Sequence, residues 1–273
     1  RQQLFWIQQC LEAYSQPPNL TNHYPFVGTI EDLWLKSQKH EWIDTPKHET
    51  IKQHNARDLV NKMAWSTLGY QYDWTNRKYH PQEKVPFPDD SGTLVTMIAC
   101  AARFTPYLPE AAIVNYYNRD KSMGGHKDDA EYAMDKPIVS LSFGSDAIFL
   151  LGGETKRIEP IPMVLHSGDL MLMGGRSRDC FHGVARVIDD TLPQFFKPDQ
   201  FTSLRDSSET DEQAFKEQYE SFIEYLNSST RRLNINVRQV FSYDEQGQLI
   251  DPFTSKQEPE KETTQTTTEN KTE

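Results

Sequence analysis

Apolar positions follow two different spacings along this chain, and the change from one to the other comes near residue 109. Residues 1–14 repeat apolar side chains at the spacing of an amphipathic helix, which the prolines at 17 and 18 end. A second helix is predicted over about 92–104, with Asp90 or Ser91 as its cap. Its apolar residues at helical spacing are Leu94, Met97, Ile98 and Ala101. Residues 23–90, rich in Trp, Tyr, His and charge, indicate short segments and turns.

After Pro109 the apolar residues come in short runs, separated by Gly, Asp, Ser and Pro at intervals of roughly 8–12 residues. The predicted strands are 112–117, 138–143, 147–151, 162–165, 170–173, 184–188 and 232–240. This pattern is typical of a sandwich or barrel and not of strands that alternate with helices. A helical segment at about 209–227 precedes the last strand, and the polar stretch 256–273 is predicted to be disordered. The fold class is therefore mainly β with flanking helices (α+β).

Composition bounds the class of protein without naming a function. The chain has 273 residues, of which 36% are hydrophobic, so it can bury a sizeable core. It has no run of 18 apolar residues, so no membrane span is predicted. Its three cysteines are far apart and form no CxxC pair, which favours a reducing, intracellular compartment. Because the sequence begins with Arg1 and not with Met, the lack of a targeting signal carries little information.

A net charge of −11 is unusual for a protein that binds nucleic acid, but the distribution of charge along the chain matters more than the sum. Residues 36–88 contain nine Lys or Arg against six Asp or Glu, whereas residues 206–224 contain seven acids against one Lys. A mildly basic front half and an acidic insert are compatible with a nucleic-acid-binding face on one side. The charge balance therefore neither supports nor excludes such a partner.

His126 and Asp128 are separated by one residue, which in an extended chain points both side chains to the same face. His182, 54 residues after Asp128, lies at the start of another predicted strand and can supply a third ligand. Two histidines and one carboxylate on one face leave coordination positions open, which suits a non-haem iron(II) ion. The same ligands tolerate zinc or manganese, so the metal is left open by these residues alone.

The last predicted strand alternates strictly between polar and apolar side chains. Leu233, Ile235 and Val237 face one way. The other face carries Arg232, Asn234, Asn236 and Arg238. If that face is buried, its guanidinium groups need an anion, and a dicarboxylate would supply two anionic ends. The alternative is an ordinary edge strand with solvated arginines.

In this order, the His-x-Asp pair, the distal histidine and the Arg-x-Asn-x-x-x-Arg strand resemble the AlkB family of nucleic-acid dioxygenases. The resemblance extends over about residues 60–241. It includes Asn115-Tyr116-Tyr117 ahead of the His-x-Asp pair and Ser177-Arg178 ahead of Phe181-His182-Gly183. Within the family the chain most resembles the eukaryotic AlkB homologue 1 branch.

The resemblance implies a double-stranded β-helix, or jelly roll, with an N-terminal substrate lid. The expected domains are an N-terminal helix and lid at 1–90, a core at 91–245 with an acidic helical insert at about 206–228, and a disordered tail at 246–273. The implied cofactors are Fe(2+) with 2-oxoglutarate and O2 as co-substrates. By this resemblance, the iron ligands are His126, Asp128 and His182. The co-substrate contacts are Asn115, Tyr117, Arg232, Asn234 and Arg238.

The implied reaction is hydroxylation of an N-methyl group on a nucleic-acid base, followed by loss of formaldehyde. A base inside a duplex must be flipped out to reach a buried iron, and aromatic side chains then hold it by stacking. The predicted substrate contacts are Trp65, Tyr70, Tyr72 and Arg178. Trp74 is expected to pack within the lid, and Arg77, Lys78 and Lys84 could meet phosphates. Arg178 could equally pair with Asp169 or Asp179.

Two positions depart from the family pattern. Ala130 stands where the bacterial-type motif has an acidic residue that touches the target base, with Asp129 and Glu131 on either side. Asn236 replaces the usual threonine between Asn234 and Arg238. The first departure concerns base recognition and not oxidation, so substrate preference cannot be copied from the bacterial enzyme.

The homologue 1 resemblance implies tRNA as the substrate, through N1-methyladenine demethylation and 5-methylcytosine oxidation, with single-stranded or unpaired DNA as a further substrate. A histone demethylase or hydroxylase on the same iron core is the alternative enzyme. A non-catalytic jelly-roll module is the alternative without chemistry, and it predicts a broken ligand set. A monomer in the mitochondrion and nucleus is expected from the resemblance, with no membrane partner.

Overall fold

A computed structural model describes residues 1–45, 50–197 and 209–250, and for residues 209–216 and 218 it describes the backbone only. The chain divides into two compact units, Arg1–Val240 and Phe241–Glu273. The described helices are α1 Gln2–Gln8, which continues as a π-helical turn Gln9–Ala13, α2 Tyr24–Val27, α3 Leu33–Gln38, α4 Ala56–Asn61, α5 Asp89–Ala101 and α6 Glu209–Ser228. Two short 3-10 turns span Gly175–Asp179 and Gln194–Phe196. Among the described residues, no helix is long and apolar enough to cross a membrane.

The strands of the first unit form two antiparallel sheets and one small hairpin. They are β1 Leu20–Thr21, β2 Trp42–Asp44, β3 Gln53–Asn55, β4 Trp65–Asp73, β5 Lys78–Lys84, β6 Ala111–Tyr117, β7 Met123–His126, β8 Ile138–Gly144, β9 Ala147–Leu151, β10 Ile161–Leu165, β11 Leu170–Met173, β12 His182–Val187 and β13 Arg232–Arg238. The major sheet has the order β1-β4-β6-β13-β8-β11, with β5 paired to β4. The minor sheet has the order β10-β9-β12-β7, and β2 pairs with β3 alone. This arrangement agrees with the predicted jelly-roll core.

The two faces of β13 meet different surroundings, as its alternating sequence predicts. Leu233, Ile235 and Val237 are fully buried in a cluster that also contains apolar side chains of α1, α3, α4 and α6. Burial of each such side chain contributes about 1.5–3 kcal/mol, so this face fixes β13 against the helical layer. The opposite, polar face then turns into the space between the two sheets. Because β13 lies between β6 and β8, it is a central strand and not the edge strand of the alternative interpretation.

The predicted strands after Pro109 are confirmed to within two residues at each end. The six strands β1 to β5 and β7 were not predicted, and the longest of them, β4, lacks the period of two. In β4, residues are buried on both faces, and Gly69 has a φ of +71° where the carbonyl oxygen of Glu110 would lie 2.0 Å from an added Cβ. Glycine is required at position 69 because the backbone is left-handed there and the Glu110 carbonyl leaves no room for a Cβ. In this strand a glycine therefore does not indicate a turn.

The helix predicted over about 92–104 is present as α5, which begins at Asp89 with Pro88 as its N-cap and not Asp90 or Ser91, and only Leu94 and Ile98 of its predicted apolar face pack against the core. The helix packs by its small residues, because Ser91, Val95 and Ala99 are buried while Met97 is 65% exposed. Leu94 and Ile98 flank that line and are partly buried, and Ala101 is exposed. At Gly92 the helix lies against Phe87 and Pro109, at ordinary van der Waals distance from an added Cβ.

The segment predicted as an N-terminal lid contributes β4 directly to the major sheet, where Trp65 pairs with Asn115 of β6. The acidic insert is helical as predicted and forms α6, whose Phe222 and Leu226 are fully buried. In the second unit, residues 241–250 form a turn that is closed by a bridge between Tyr243 and Leu249. Residues 246–250 of this turn belong to the stretch that was predicted as a disordered tail. The rest of that prediction, 251–273, lies outside the described residues.

Candidate metal centre and active-site cavity

His126 and His182 are brought together by strand pairing. His126 ends β7, His182 begins β12, and the two residues are partners in the antiparallel register. Their ring centroids are 4.4 Å apart. Asp128 follows β7 by two residues and closes the group. One ligand atom from each of the three residues lies within 4.8 Å of the others, so the sequence-predicted triad is assembled in space.

Hydrogen bonds to the backbone orient both imidazoles for a metal. His126 Nδ1 lies 2.9 Å from the carbonyl oxygen of Gly124, and His182 Nδ1 lies 3.3 Å from that of Cys180. A carbonyl oxygen only accepts, so each Nδ1 carries the proton and each Nε2 keeps a free lone pair. The two Nε2 atoms face Asp128, at 3.7 Å from Oδ1 and 3.9 Å from Oδ2. The hydrogen bonds from Nδ1 to backbone carbonyls are the outer-sphere contacts that fix histidine ligands at metal centres.

The protonation states of the group suit a divalent cation. Burial lowers the pKa of His182, which favours the neutral imidazole. Burial alone would raise the pKa of Asp128, but Arg238 and the two imidazoles outweigh it and hold that pKa at about 2. A neutral imidazole and an ionised carboxylate are the forms that bind a metal.

A buried charge network holds Asp128 in place. Arg238 Nη2 donates to Asp128 Oδ2 at 2.8 Å, and Arg238 Nε lies 3.1 Å from Glu131 Oε1. Glu131 Oε2 accepts from Arg178 Nη2 at 2.6 Å, and Arg178 Nη1 also donates to the backbone carbonyl of Asp128. The other three members of this network, Arg238, Glu131 and Arg178, are almost fully buried. Two carboxylates and two guanidiniums therefore balance each other's charge, as buried ions require.

Arg232 is in a different electrostatic position. Its side chain is 2% exposed and donates to Ser142 Oγ at 2.7 Å and to the carbonyl oxygens of Ser145 and Leu165. Within the described residues no carboxylate lies within ion-pair distance, and its Nε has no hydrogen-bond partner. Burial lowers its pKa to about 10, so the group remains charged at neutral pH. A buried guanidinium that is not directly paired with a carboxylate and that lines a cavity is a ready site for an anion.

The other predicted co-substrate residues line the same wall. Asn234 donates to Ser140 Oγ and to the carbonyl oxygen of Leu141, both at 2.9 Å, and accepts from Asn236 Nδ2 at 2.7 Å. Its amide is therefore held in one orientation, and Asn236, the departure from the family pattern, takes part in holding it. Asn115 and Tyr117 face the cavity from β6, and burial raises the pKa of Tyr117 to about 12, so its hydroxyl keeps its proton.

Together these residues enclose a cavity of about 500 Å³ between the two sheets. The major sheet contributes residues of β6, β8, β11 and β13, and the minor sheet contributes residues of β7, β9, β10 and β12. The volume lies within the range of small-molecule sites, about 300–1,000 Å³. The triad lies in this cavity together with Arg232 and Arg238.

Aromatic side chains stand at the lid end of the cavity, but not all of the predicted ones. Tyr72 and Trp74 line it, with ring centroids 4.8 Å apart. Trp74 is 47% exposed, so the expectation that it only packs within the lid is wrong. Trp65 does not line the cavity and supports Trp74 from behind, at 4.8 Å between ring centroids. Tyr70 is buried, with Lys84 Nζ 4.6 Å from its ring centre.

Arg178 is likewise not on the cavity wall. Its guanidinium is buried and donates to Glu131 and to the backbone carbonyl of Asp128, and in the described structure it forms no ion pair with Asp169 or Asp179. The pairing of Glu131 with Arg178 and Arg238 was not predicted from the sequence, which singled out Glu131 only as a neighbour of Ala130. It also missed Tyr79 and Lys127, which line the cavity. Arg77 lines it too, paired with Asp129 at 3.0 Å.

Comparison with known proteins agrees with this geometry. Residues 29–238 match the model of the 2OG-Fe(II) oxygenase superfamily. The human nucleic acid dioxygenase ALKBH1 is 38% identical over 250 residues, covering 89% of this chain and 62% of the relative. The DNA N(6)-methyladenine demethylase ALKBH1A of Arabidopsis thaliana is 36% identical over 266 residues, covering 88% and 72%. The tRNA demethylase abh1 of Schizosaccharomyces pombe is 36% identical over 187 residues, covering 66% and 62%.

The chain thus spans about three fifths of the length of the human relative. The matched region nevertheless contains the triad, the charge network and both arginines of β13. The chain belongs to the 2OG-Fe(II) oxygenase superfamily and, within it, to the AlkB family of nucleic-acid dioxygenases, close to ALKBH1.

Proposed function

We propose that this protein oxidatively demethylates N-methylated bases in nucleic acid, with tRNA carrying N1-methyladenine as its main substrate and unpaired DNA as a second one. The observation that carries the proposal is the His126, Asp128 and His182 group in one cavity with a buried, unpaired Arg232 and a partly exposed aromatic pair. The names of the relatives include both a tRNA demethylase and DNA N(6)-methyladenine demethylases, which supports nucleic acid as the substrate class.

The residues present fit the cofactors of the superfamily. When bound, iron(II) with 2-oxoglutarate and O2 supplies the oxidation of a methyl C–H bond. His126, Asp128 and His182 hold the metal, and the backbone carbonyls behind the two Nδ1 atoms keep both rings turned toward it. Arg238 neutralises Asp128 and fixes its carboxylate.

Arg232 would hold a carboxylate of the co-substrate. Arg238 is already paired with two carboxylates, whereas Arg232 has none among the described residues, so the two arginines have separate tasks. Asn234 and Asn236 keep the polar face of β13 in one geometry around that anion. Positioning of this kind replaces water around the dicarboxylate with fixed donors.

The target base is held at the aromatic end of the cavity. Tyr72 and Trp74 offer an edge-to-face pair, and a base that stacks on such a ring gains about 1–3 kcal/mol. Trp65 keeps Trp74 in place from the other side. A flipped or unpaired nucleotide can enter such a cavity, whereas a base within a duplex cannot.

The test is release of succinate on a substrate panel after anaerobic loading with iron(II). The panel contains RNA stem-loops with N1-methyladenine, RNA with 5-methylcytosine, methylated single-stranded DNA and a methyl-lysine histone peptide. We expect succinate and formaldehyde from the methylated RNA above all. Turnover of the peptide alone would instead identify a protein demethylase and overturn the proposal.

Asp128→Ala removes one metal ligand and should abolish succinate release on every substrate. The loss should exceed the about 10–100-fold that removal of an outer-sphere partner causes. Asp135→Ala, which removes an exposed carboxylate seven residues later, is the matched control and should retain full turnover. Wild-type activity in Asp128→Ala would refute the metal assignment.

A further inference from the structure

Two lysines from separate segments converge on one aromatic ring beside the metal centre. Lys127 Nζ lies 5.1 Å and Lys156 Nζ 5.4 Å from the ring centre of Phe181. Lys127 follows β7, Lys156 belongs to the loop after β9, and Phe181 immediately precedes β12. Within the part of the chain that the structure describes, neither ammonium has a carboxylate within ion-pair distance. Two like charges gathered around one ring without a carboxylate favour the binding of an anion.

This group, which we call the lysine rim (Lys127, Lys156 and Phe181), is continuous with the proposed active site. Lys127 stands between His126 and Asp128 and lines the cavity, and Phe181 is the neighbour of His182. All three side chains are at least partly exposed. An anion bound here would therefore lie within a few residues of the metal ligands while remaining accessible from solvent.

The backbone of β7 beside the rim carries no side chain at two successive exposed positions. Gly124 and Gly125 are exposed on β7, the edge strand of the minor sheet, and no described atom lies within 4 Å of a Cβ built on either. Neither glycine has a positive φ, so the fold itself does not require glycine there. The open strip leaves room for an extended ligand to pass along the rim and into the cavity.

The charge of the rim selects the kind of ligand. A nucleic-acid backbone is a polyanion, so two ammonium groups that lack a carboxylate partner among the described residues would orient it beside the cavity. Arg77, which also lines the cavity, is paired with Asp129. Within the described part of the chain, the two rim lysines therefore lack the carboxylate partner that Arg77 has.

We propose that the lysine rim binds the sugar–phosphate backbone of the nucleic acid next to the target nucleotide. Lys127 and Lys156 contact phosphodiester oxygens, and Phe181 offers its ring to the adjoining ribose or base. This inference rests on the proposed function and adds to it a strand path, which enters the cavity from the β7 edge. It predicts that recognition extends beyond the methylated base to the phosphates beside it.

The test compares Lys127→Gln/Lys156→Gln with Lys39→Gln/Lys62→Gln, which removes two exposed lysines that do not line the cavity. The probe is a fluorescein-labelled single-stranded 11-nucleotide RNA with one central N1-methyladenine, bound to the Mn(II) and 2-oxoglutarate form. Its Kd is measured by anisotropy at several NaCl concentrations. Loss of two phosphate contacts should reduce the slope of log K against log salt by about 1.4, since each contact on single strands contributes about 0.7. The control pair should keep the wild-type slope.

A second readout separates backbone binding from damage to the metal centre. With iron(II), kcat/KM is measured for the same RNA and for 1-methyladenosine, which has no phosphate. We expect the loss on the RNA to exceed any loss on the nucleoside by at least about five-fold. An unchanged salt slope, or equal losses on both substrates, would overturn the lysine rim while leaving the demethylase intact. Failure of the wild-type protein to demethylate any nucleic acid would overturn both.

Discussion

Arg232 and Arg238 lie six positions apart on the same face of β13, yet their electrostatic surroundings differ. Arg238 is paired with Asp128 and Glu131, and their negative charge raises its pKa despite its burial. Arg232 meets only hydroxyl and carbonyl oxygens, and burial lowers its pKa. The sequence predicts two arginines for two carboxylates. In the structure the two arginines differ: Arg238 pairs with Asp128, whereas Arg232 is available to bind the anion of a ligand.

Arg232→Met tests this division because it exchanges an unpaired buried cation for an apolar side chain of similar length. The free protein should be as stable as the wild type or up to about 4 kcal/mol more stable, as is found when buried ions are replaced by apolar residues. Binding of 2-oxoglutarate should weaken by about 10–150-fold, the equivalent of about 1.5–3 kcal/mol for charged hydrogen bonds. Both are measured by thermal unfolding of the Mn(II) form over a range of 2-oxoglutarate concentrations.

Arg231→Met is the matched control, because Arg231 is also buried but donates to Asn61 Oδ1 at 2.8 Å and lies over the Tyr225 ring. Its loss should lower stability and leave the co-substrate-dependent shift in place. If Arg232→Met keeps that shift in full, the anion site lies elsewhere.

At the scale of elements, the pairing of β7 with β12 sets the distance between the two histidines. Gly183, next to His182, makes this pairing possible, because an added Cβ would lie 2.6 Å from the carbonyl oxygen of Met123. Its φ is not positive, so the requirement for glycine comes from strand packing and not from backbone conformation. The motif Phe181-His182-Gly183 thus has a local reason for its glycine.

Gly183→Ala should push β7 away from β12 and separate His126 from His182. We expect a loss of about 1–3 kcal/mol in the free energy of unfolding, as for other overpacked sites, and at least about ten-fold weaker Mn(II) binding. Urea unfolding and calorimetric titration with Mn(II) would measure the two effects. Gly125→Ala on β7, where a Cβ meets open space, is the control and should stay within about 0.5 kcal/mol of the wild type. Equal effects of the two substitutions would argue against a packing role for Gly183.

At the scale of the whole molecule, the candidate site joins the two sheets. The histidines belong to the minor sheet, whereas Arg232 and Arg238 belong to the major sheet. A metal and a dicarboxylate bound between them would add contacts to both layers in the folded state only. Such binding must raise global stability by linkage.

We therefore expect Mn(II) and 2-oxoglutarate together, each at about 100 times its Kd, to raise stability by at least about 2.7 kcal/mol. For a chain of this size, that corresponds to a rise of about 5–11 °C in Tm. Differential scanning calorimetry under anaerobic conditions measures the shift, and Asp128→Ala should lose most of it. A Tm that is unmoved by both ligands would mean that they do not bind in the cavity between the sheets.

Sequence alone determined the features whose cause lies within a few neighbouring residues. The i and i+2 spacing of His126 and Asp128, the alternation of β13 and the strands after Pro109 all follow from local periodicity, which survives without tertiary contacts. The resemblance carried by those motifs then predicted the family, which the family model and the relatives confirm.

Only the tertiary structure decided what depends on residues far apart in the chain. It placed β4 inside the major sheet and left Trp74 exposed at the cavity while Tyr70 is buried. It paired Glu131 with two arginines, left Arg232 without a carboxylate and brought Lys156 beside Phe181. The physical reason is that burial and charge pairing are set by which segments meet across the fold, and no local pattern of side chains encodes that meeting.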